Sequence, residues 1–334
     1  MLDDRRASIL QALVEEYIRT GQPVSSRAIL ETSGLKVSSA TVRNDLAKLE
    51  SYGFVEQPHT SAGRVPTHQG YRYYVDHCSP ARLRSATRVR IESFFTDVHR
   101  ELSKLLQETS GLLSDISHYP AVIVGPGLGD ERVVALHLVP LSPTVTLAVT
   151  IVESGRVTRD IVRLAREVTE SDLARAETIL SKAYCGGTLA EGAAAIAKIP
   201  TGDVAEPVRR AVKAVTKTLA GTEVRSADIY VGGTSQLAEL WEDLAQVHSM
   251  LGLLERDSVV RQIVDDPGAG TAVRIGAELN VEDVELAVVS SDYEAGEHGI
   301  GRVGVIGPMR MDYRRTIKIV EEVSEGLGES LGSS

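Results

Sequence analysis

The run from Pro23 to Val75, PVSSRAILETSGLKVSSATVRNDLAKLESYGFVEQPHTSAGRVPTHQGYRYYV, constrains this chain more than any other segment. It sets out two short helical patterns separated by Ser33-Gly34-Leu35-Lys36-Val37, then two short extended segments around a hydroxyl-rich loop. Helix, turn, helix and wing in that order predict a winged helix-turn-helix, a module that lays its second helix in the major groove of duplex DNA.

The second helix, predicted over Ser39 to Tyr52 with Ser38 as its cap, carries most of the argument. Val42, Leu46 and Leu49 recur at i, i+4 and i+7 and define one buried stripe. The remaining surface offers Ala40, Thr41, Arg43, Asn44 and Lys48. Arg bridges O6 and N7 of guanine, Asn bridges N6 and N7 of adenine, and Ala or Thr methyls meet the thymine methyl. Alone, such a face also fits an ordinary solvated helix. The helix before it and the wing after it decide for DNA.

The preceding helix, Ser26 to Thr32 capped by Ser25, is expected to buttress the reader across the DNA backbone. Ser25, Ser26, Arg27, Ser38 and Ser39 therefore join the candidate DNA contacts. In the wing, Phe54–Gln57 and Arg64–Thr67 are expected to pair around Pro58–Gly63. Arg64, after a flexible Gly63, is a candidate for a minor groove or a phosphate, and Thr60 and Ser61 are candidate phosphate donors. His59 fits a turn or a DNA contact equally well. Ahead of the motif, Asp3–Thr20 places Ile9, Leu10, Leu13, Val14 and Tyr17 on one face and ends at Gly21, the pattern of a core helix.

Charge divides unevenly along the chain. Of 36 Lys and Arg, thirteen lie at or before Arg90, leaving 23; of 46 Asp and Glu, nine lie there, leaving 37. The first segment is thus +4 and the rest −14, so an acidic chain carries a mildly basic head. At 334 residues and 43% hydrophobic content, two or three domains with real cores are expected. Cys78 and Cys185 stand apart with no metal-ligand spacing and read as free thiols. The N-terminal residues resemble no secretory signal, and no apolar run reaches the roughly 18 residues of a membrane span, so a cytoplasmic location is expected.

Beyond a basic connector, Arg82–Arg90, a helical seam runs through Ile91, Phe95, Val98, Leu102, Leu105, Thr109, Leu112 and Ile116. It fits a coiled coil or, better, a helix packed on its own domain. Strands are predicted near Ala121–Val124, Val133–Val139, Thr144–Val152 and Arg156–Arg163, where Val145, Leu147, Val149 and Ile151 alternate with Thr144, Thr146, Ala148 and Thr150. Helical patterns follow from Thr169, Thr188, Val204 and Gln236, then strands near Ala272–Ile275, Glu285–Ser290 and Gly301–Ile306, then a closing helix from Asp312. A sheet interrupted by helices implies an insertion within an α+β domain.

No catalytic constellation emerges, and neither a cofactor nor a metal is expected. Gly125-Pro126-Gly127-Leu128-Gly129-Asp130 follows a strand but leads to another strand, so a phosphate lacks the helix N-terminus it needs. Gly328-Glu329-Ser330-Leu331-Gly332 spells GxSxG but is expected in a Gly/Ser tail, without the strand-turn-helix of a nucleophile elbow. His118, His137, His248 and His298 lie in no ligand motif.

PVSSRAI, VSSATVRNDLAKLE, QPHTSAGRVPTHQGYRYYV and the distant GRVGVIGPMRMDYRRTI together resemble the heat-inducible transcription repressor family HrcA, departing from its pattern at Met309. The resemblance spans nearly the whole chain. It implies an α+β multidomain protein: a winged helix-turn-helix over 1–80, the connector 81–90, a GAF-like domain over 91–165 and 268–334, and an inserted, mainly helical dimerisation domain over 166–267. It also implies a homodimeric repressor on an inverted-repeat operator of chaperone operons, inactivated by heat, with a GroE-type chaperonin as partner. The alternative is a small-molecule sensor using the GAF-like body.

Overall fold

The computed structural model describes every residue except 1, 60–62, 97–101, 128–130, 154, 200–203, 226–227, 242, 266–267, 269, 282–284, 297–298 and 333–334. The chain divides into two compact units. One comprises Met1–Ile123, Tyr230–Asp292 and Arg302–Gly326; the other comprises Val124–Ile229, Tyr293–Gly301 and Leu327–Ser334.

The first unit opens with a winged helix. Helices α1 (Asp4–Thr20), α2 (Ser26–Ser33) and α3 (Ser39–Ser51) begin at Asp3, Ser25 and Ser38, whose side chains accept from the backbone N–H three residues on. Each cap satisfies an N–H that the helix leaves unpaired. The predicted stripe Val42, Leu46 and Leu49 is buried against Ile9, Leu10, Leu13, Val14 and Ile29, while Tyr17 is half-buried. Strands β1 (Val55–Glu56) and β2 (Val65–Pro66) pair antiparallel, and Val24 bridges Arg64 as a third short rung. Gly63 owes its place to that rung: a Cβ there would stand 2.4 Å from the Val24 carbonyl oxygen, so close approach, and not the flexibility expected of it, demands glycine.

Helix α4 (His68–His77) follows the wing. The expected connector 82–90 is largely helical, since α5 spans Ser85–Thr96. The long seam appears as α5 and α6 (Leu102–Ser117), with Val98 outside the described residues. Helix α6 buries Leu105, Leu106, Leu112, Leu113 and Ile116 within the chain's own core. A sheet with strand order β7-β3-β10-β9-β8 completes this unit, its strands being β3 (Ala121–Val124), β7 (Ile229–Gly232), β8 (Ala272–Ile275), β9 (Leu286–Glu294) and β10 (Ile300–Pro308). Helices α10 (Leu237–Leu240), α11 (Leu244–Leu254) and α12 (Asp257–Val264) precede β8. Helix α13 (Tyr313–Gly332) closes the chain, so the GxSxG match lies in its last turns and not in a tail.

The second unit packs the antiparallel sheet β4-β5-β6 (Val133–Ser142, Val145–Val152, Val157–Arg163) on α7 (Glu170–Tyr184), α8 (Leu189–Ala197) and α9 (Glu206–Arg225). The three strands join α7–α9 in this unit and α10–α12 belong with the first, a division that runs across the bounds 166–267 expected for the insertion. The reason is pairing. These strands form a sheet of their own and bury their inner face, Leu136, Leu138, Ala148, Val152 and Val162, under Leu173, Leu180, Val208 and Val215.

Strand β5 buries the less obvious half of its alternating pattern. Thr146, Ala148, Thr150 and Val152 are buried, whereas Val145, Leu147, Val149 and Ile151 are half-exposed. Small inner side chains let the helices approach, and Thr146 Oγ1 donates to the Val139 carbonyl at 3.0 Å. The register sets two apolar rows on the open face, Val139, Leu147 and Ile161 in one and Ala135, Ile151 and Val157 in the other, with His137, Val149 and Arg159 as the row between them. Ile161 is 61% exposed and Val157 45%, so this face is uncovered in the single chain.

Candidate nucleic-acid interface

Helix α3 presents Ala40, Arg43, Asn44 and Lys48 to solvent. Arg43 and Asn44 have no hydrogen-bond or ion-pair partner among the described residues, so their donors and acceptors are available to base edges. The opposite side is fixed by more than apolar packing. Asp45, 2% exposed, accepts from Arg5 Nε at 2.8 Å and from Arg6 Nε at 3.1 Å. The hydrogen bond from Arg5, reinforced by Arg6, holds the Asp45 carboxyl below the usual carboxylate range despite burial. The start of α1 thus clamps the reader helix and sets its roll.

The serines of α2 and α3 among the candidate DNA contacts also have structural tasks. Ser25 Oγ accepts from Ala28 N at 3.1 Å; Ser38 Oγ accepts from Thr41 N at 3.1 Å and pairs with Thr41 Oγ1 at 2.9 Å. Ser26 and Ser39 bond to each other at 3.0 Å and tie the starts of the two helices together. Arg27 is exposed and paired with Glu31 at 2.8 Å, a surface contact that a phosphate can replace at small cost.

The wing departs from expectation at Arg64. Its Nη2 lies 2.9 Å from Glu50 Oε2 and its side chain is only 19% exposed, so it links the base of the wing to the reader helix and is not a free wing cation. The Val24–Arg64 rung places it beside the core, which the loop sequence alone did not reveal. His59 is exposed at the turn, Gly63 is half-buried at the rung, and Thr60 and Ser61 lie outside the described residues.

Sequence reasoning also missed what the distant GPMRMDYRRT segment does. It docks on the head: Arg314 Nη1 reaches Glu15 at 3.2 Å, Arg314 Nε donates to the Ser79 carbonyl at 2.9 Å, and the Ala81 N–H donates to the Arg314 carbonyl at 2.8 Å. Tyr313, fully buried, lies 6.1 and 6.5 Å from the rings of Tyr71 and Tyr74. Its hydroxyl donates to the Met309 carbonyl at 2.6 Å, a backbone contact indifferent to the side chain at 309. Helix α4 is tied to β8 by Arg72, whose Nη1 donates to the Val273 carbonyl at 2.7 Å.

The described residues of the enzyme-like motifs are held in other contacts. The Gly125 loop turns the carbonyls of Pro126 and Gly127 toward Arg156, which also pairs with Glu131, so these groups accept from a cation where a phosphate would need donors. His137 pairs with Glu177 at 3.1 Å, His118 ends α6 at positive φ, and His298 lies outside the described residues. Cys78 and Cys185 are free thiols. Among the described residues no His, Cys, Asp and Glu group is arranged to hold a metal, and no helix is long and apolar enough to cross a membrane.

A capped, clamped reader helix with an open polar N-terminal face, buttressed by α2 and followed by a wing, defines the winged-helix class of DNA-binding regulators. The profile described as "Winged helix-turn-helix transcription repressor, HrcA DNA-binding" matches residues 1–76, and that described as "HrcA protein C terminal domain" matches 103–317. The chain belongs to the HrcA family of heat-inducible transcription repressors. It is 35% identical to the heat-inducible transcription repressor HrcA of Halalkalibacterium halodurans, over 99% of this chain and 98% of that one. It is 36% identical to the protein of the same name from a Nocardioides species, over 97% of each. A solved structure, "Crystal structure of a hypothetical protein at 2.2 A resolution", covers 100% of this chain and 99% of its own with a TM-score of 0.61 at 26% identity.

Proposed function

We propose that this chain represses transcription by binding an inverted-repeat operator as a homodimer, and that heat relieves the repression. The observation that carries the reading is the unpartnered pair Arg43 and Asn44 on the N-terminal half of a helix whose opposite face is clamped. Ala40 and Thr41 add methyl groups on the same half, and Lys48, Arg27, Ser25, Ser26, Ser38 and Ser39, on or capping α2 and α3, are the proposed contacts to the DNA backbone. His59, Thr60 and Ser61 belong to the wing contact, with Gly63 shaping its base.

The second unit supports the proposed two-fold symmetry. The open rows across β4, β5 and β6, with Val149 between them and His137 and Arg159 at its sides, form an apolar face with polar flanks of the kind that a second copy covers in an isologous contact. A dimer presents paired reading heads, and paired heads select palindromic sites. The family resemblance supports the operators of chaperone operons as the target and a GroE-type chaperonin as the factor that maintains the active form. In that scheme heat diverts chaperonin to unfolded chains and the active fraction of repressor falls.

Selection of bound duplexes from a random pool tests the DNA reading, with an enriched palindrome as the expected outcome. Random sequence after repeated selection removes it. Operator titration with and without purified chaperonin, before and after heating, tests the partner separately; an active fraction indifferent to chaperonin removes that part alone.

A further inference from the structure

The helical layer of the second unit contains a cleft of about 710 Å³ that neither DNA binding nor pairing of the open sheet face uses. No strand residue lines it. Its floor is apolar, with Ile179 from α7, Ile196 from α8 and Val212 from α9, and its rim is cationic, with Arg210, Lys213 and Lys217 on successive turns of α9. The volume falls within the roughly 300–1,000 Å³ of small-molecule sites, which are likewise apolar with a few placed polar groups.

The charge on the rim is one-sided. Among the described lining residues Glu206 is the one acid, and it already faces Arg209 at 2.6 Å and Arg210 at 3.5 Å. Lys213 and Lys217, one helical turn apart and exposed, have no ion-pair or hydrogen-bond partner among the described residues. Thr216, between them in sequence, holds a buried hydroxyl without a partner and lines the same cleft. An unsatisfied buried hydroxyl beside two unneutralised ammonium groups is an arrangement completed by an anionic acceptor.

We propose that this cleft binds a small amphiphilic anion. Its apolar body lies on Ile179, Ile196 and Val212, and its carboxylate or sulfonate head sits between Lys213 and Lys217, accepting a hydrogen bond from Thr216. A cationic amphiphile with the same body is repelled by the rim. A neutral one keeps the apolar contact and forgoes the ionic one. The site stands independently of the DNA reading, because it requires only the second unit's own geometry.

Calorimetric titration and thermal unfolding of the full-length chain with decanoate, decanol and decyltrimethylammonium, each below its micellar concentration, test it. Saturable binding of one decanoate per chain with a raised melting temperature is expected, with decanol about tenfold weaker for want of one charge-assisted hydrogen bond, and the cation silent. Lys213→Glu combined with Lys217→Glu reverses exposed charges and should weaken decanoate by about tenfold or more without lowering the melting temperature of the free protein. Ala197→Trp, at an exposed lining position, fills the cleft and should abolish decanoate and decanol binding alike. Equal responses to all three amphiphiles, or indifference to both substitutions, would overturn the proposal in favour of surface adsorption. Loss of self-association in both variants, with no decanoate bound by the unaltered chain, would overturn it in favour of a protein occupant.

Discussion

Helix α3 and strand β5 each have two chemically distinct faces, and they turn opposite kinds to solvent. The helix buries Val42, Leu46 and Leu49 and exposes Arg43 and Asn44; the strand buries Thr146, Ala148 and Thr150 and leaves Leu147, Val149 and Ile151 half-exposed. A polar face on a clamped helix suits a partner made of fixed donors and acceptors, which a DNA groove provides. An apolar face on a sheet suits a partner that removes it from water, which a second copy provides. The proposed function rests on that contrast, with sequence reading proposed for the first region and symmetry for the second.

The strand side is the more sensitive place to break this comparison. Leu147→Asp with Val149→Asp puts charges on the outer face and leaves the inner core intact, so the variant should fold as a monomer in sedimentation analysis. Affinity for a palindromic operator should fall by about 10²- to 10⁴-fold, the advantage of two linked heads, with half-site affinity unchanged. A variant that remains dimeric places the symmetry elsewhere.

On the helix side, Arg43→Ala or Asn44→Ala should weaken operator binding by about 1 to 3 kcal/mol and flatten discrimination at one base position. Titration against single-base operator variants reads this directly. An equal loss on operator and random duplex reassigns the residue to the phosphate backbone.

How much of this was visible in the sequence depended on whether the signal was local. Caps at Ser25 and Ser38 were legible because a cap is set by residues three apart, and the α3 stripe because its period is that of one helix. The phase of β5 was not, since alternation says that a strand has two faces without saying which one its neighbours cover. Nor was the grouping of β4–β6 with α7–α9 in the second unit, which rests on packing against α7 and α9. The clamp on Asp45 hid for the same reason: its partners lie on another helix, at sequence separations of 40 and 39.

That clamp supplies a third test. Asp45→Asn keeps the shape and removes the charge, and should destabilise the head by about 1 to 2 kcal/mol at neutral pH, read as faster hydrogen exchange in α3. Folding lowers the Asp45 pKa, so its contribution is fully present above the ordinary carboxylate value of about 3.9 and disappears as pH falls through the lower folded value. The two proteins should therefore converge in acid. A difference that persists there belongs to packing and not to charge.

The smallest effect is expected at Arg64, where head and wing meet. If the Glu50 pair persists on DNA, Arg64→Ala removes a partly exposed ion pair worth less than about 1 kcal/mol and leaves the salt dependence of operator binding unaltered. A free wing cation behaves differently, because each phosphate that a side chain neutralises contributes about 0.9 to the logarithmic salt slope. Glu50→Gln separates the two cases further: it releases the guanidinium while keeping the side chain's shape. With Arg64 structural, both substitutions leave the slope where it was and differ only in stability. With Arg64 switching from Glu50 to phosphate, Glu50→Gln tightens binding to every sequence alike and Arg64→Ala flattens the slope, which would make the wing a general DNA clamp beside a sequence-reading helix.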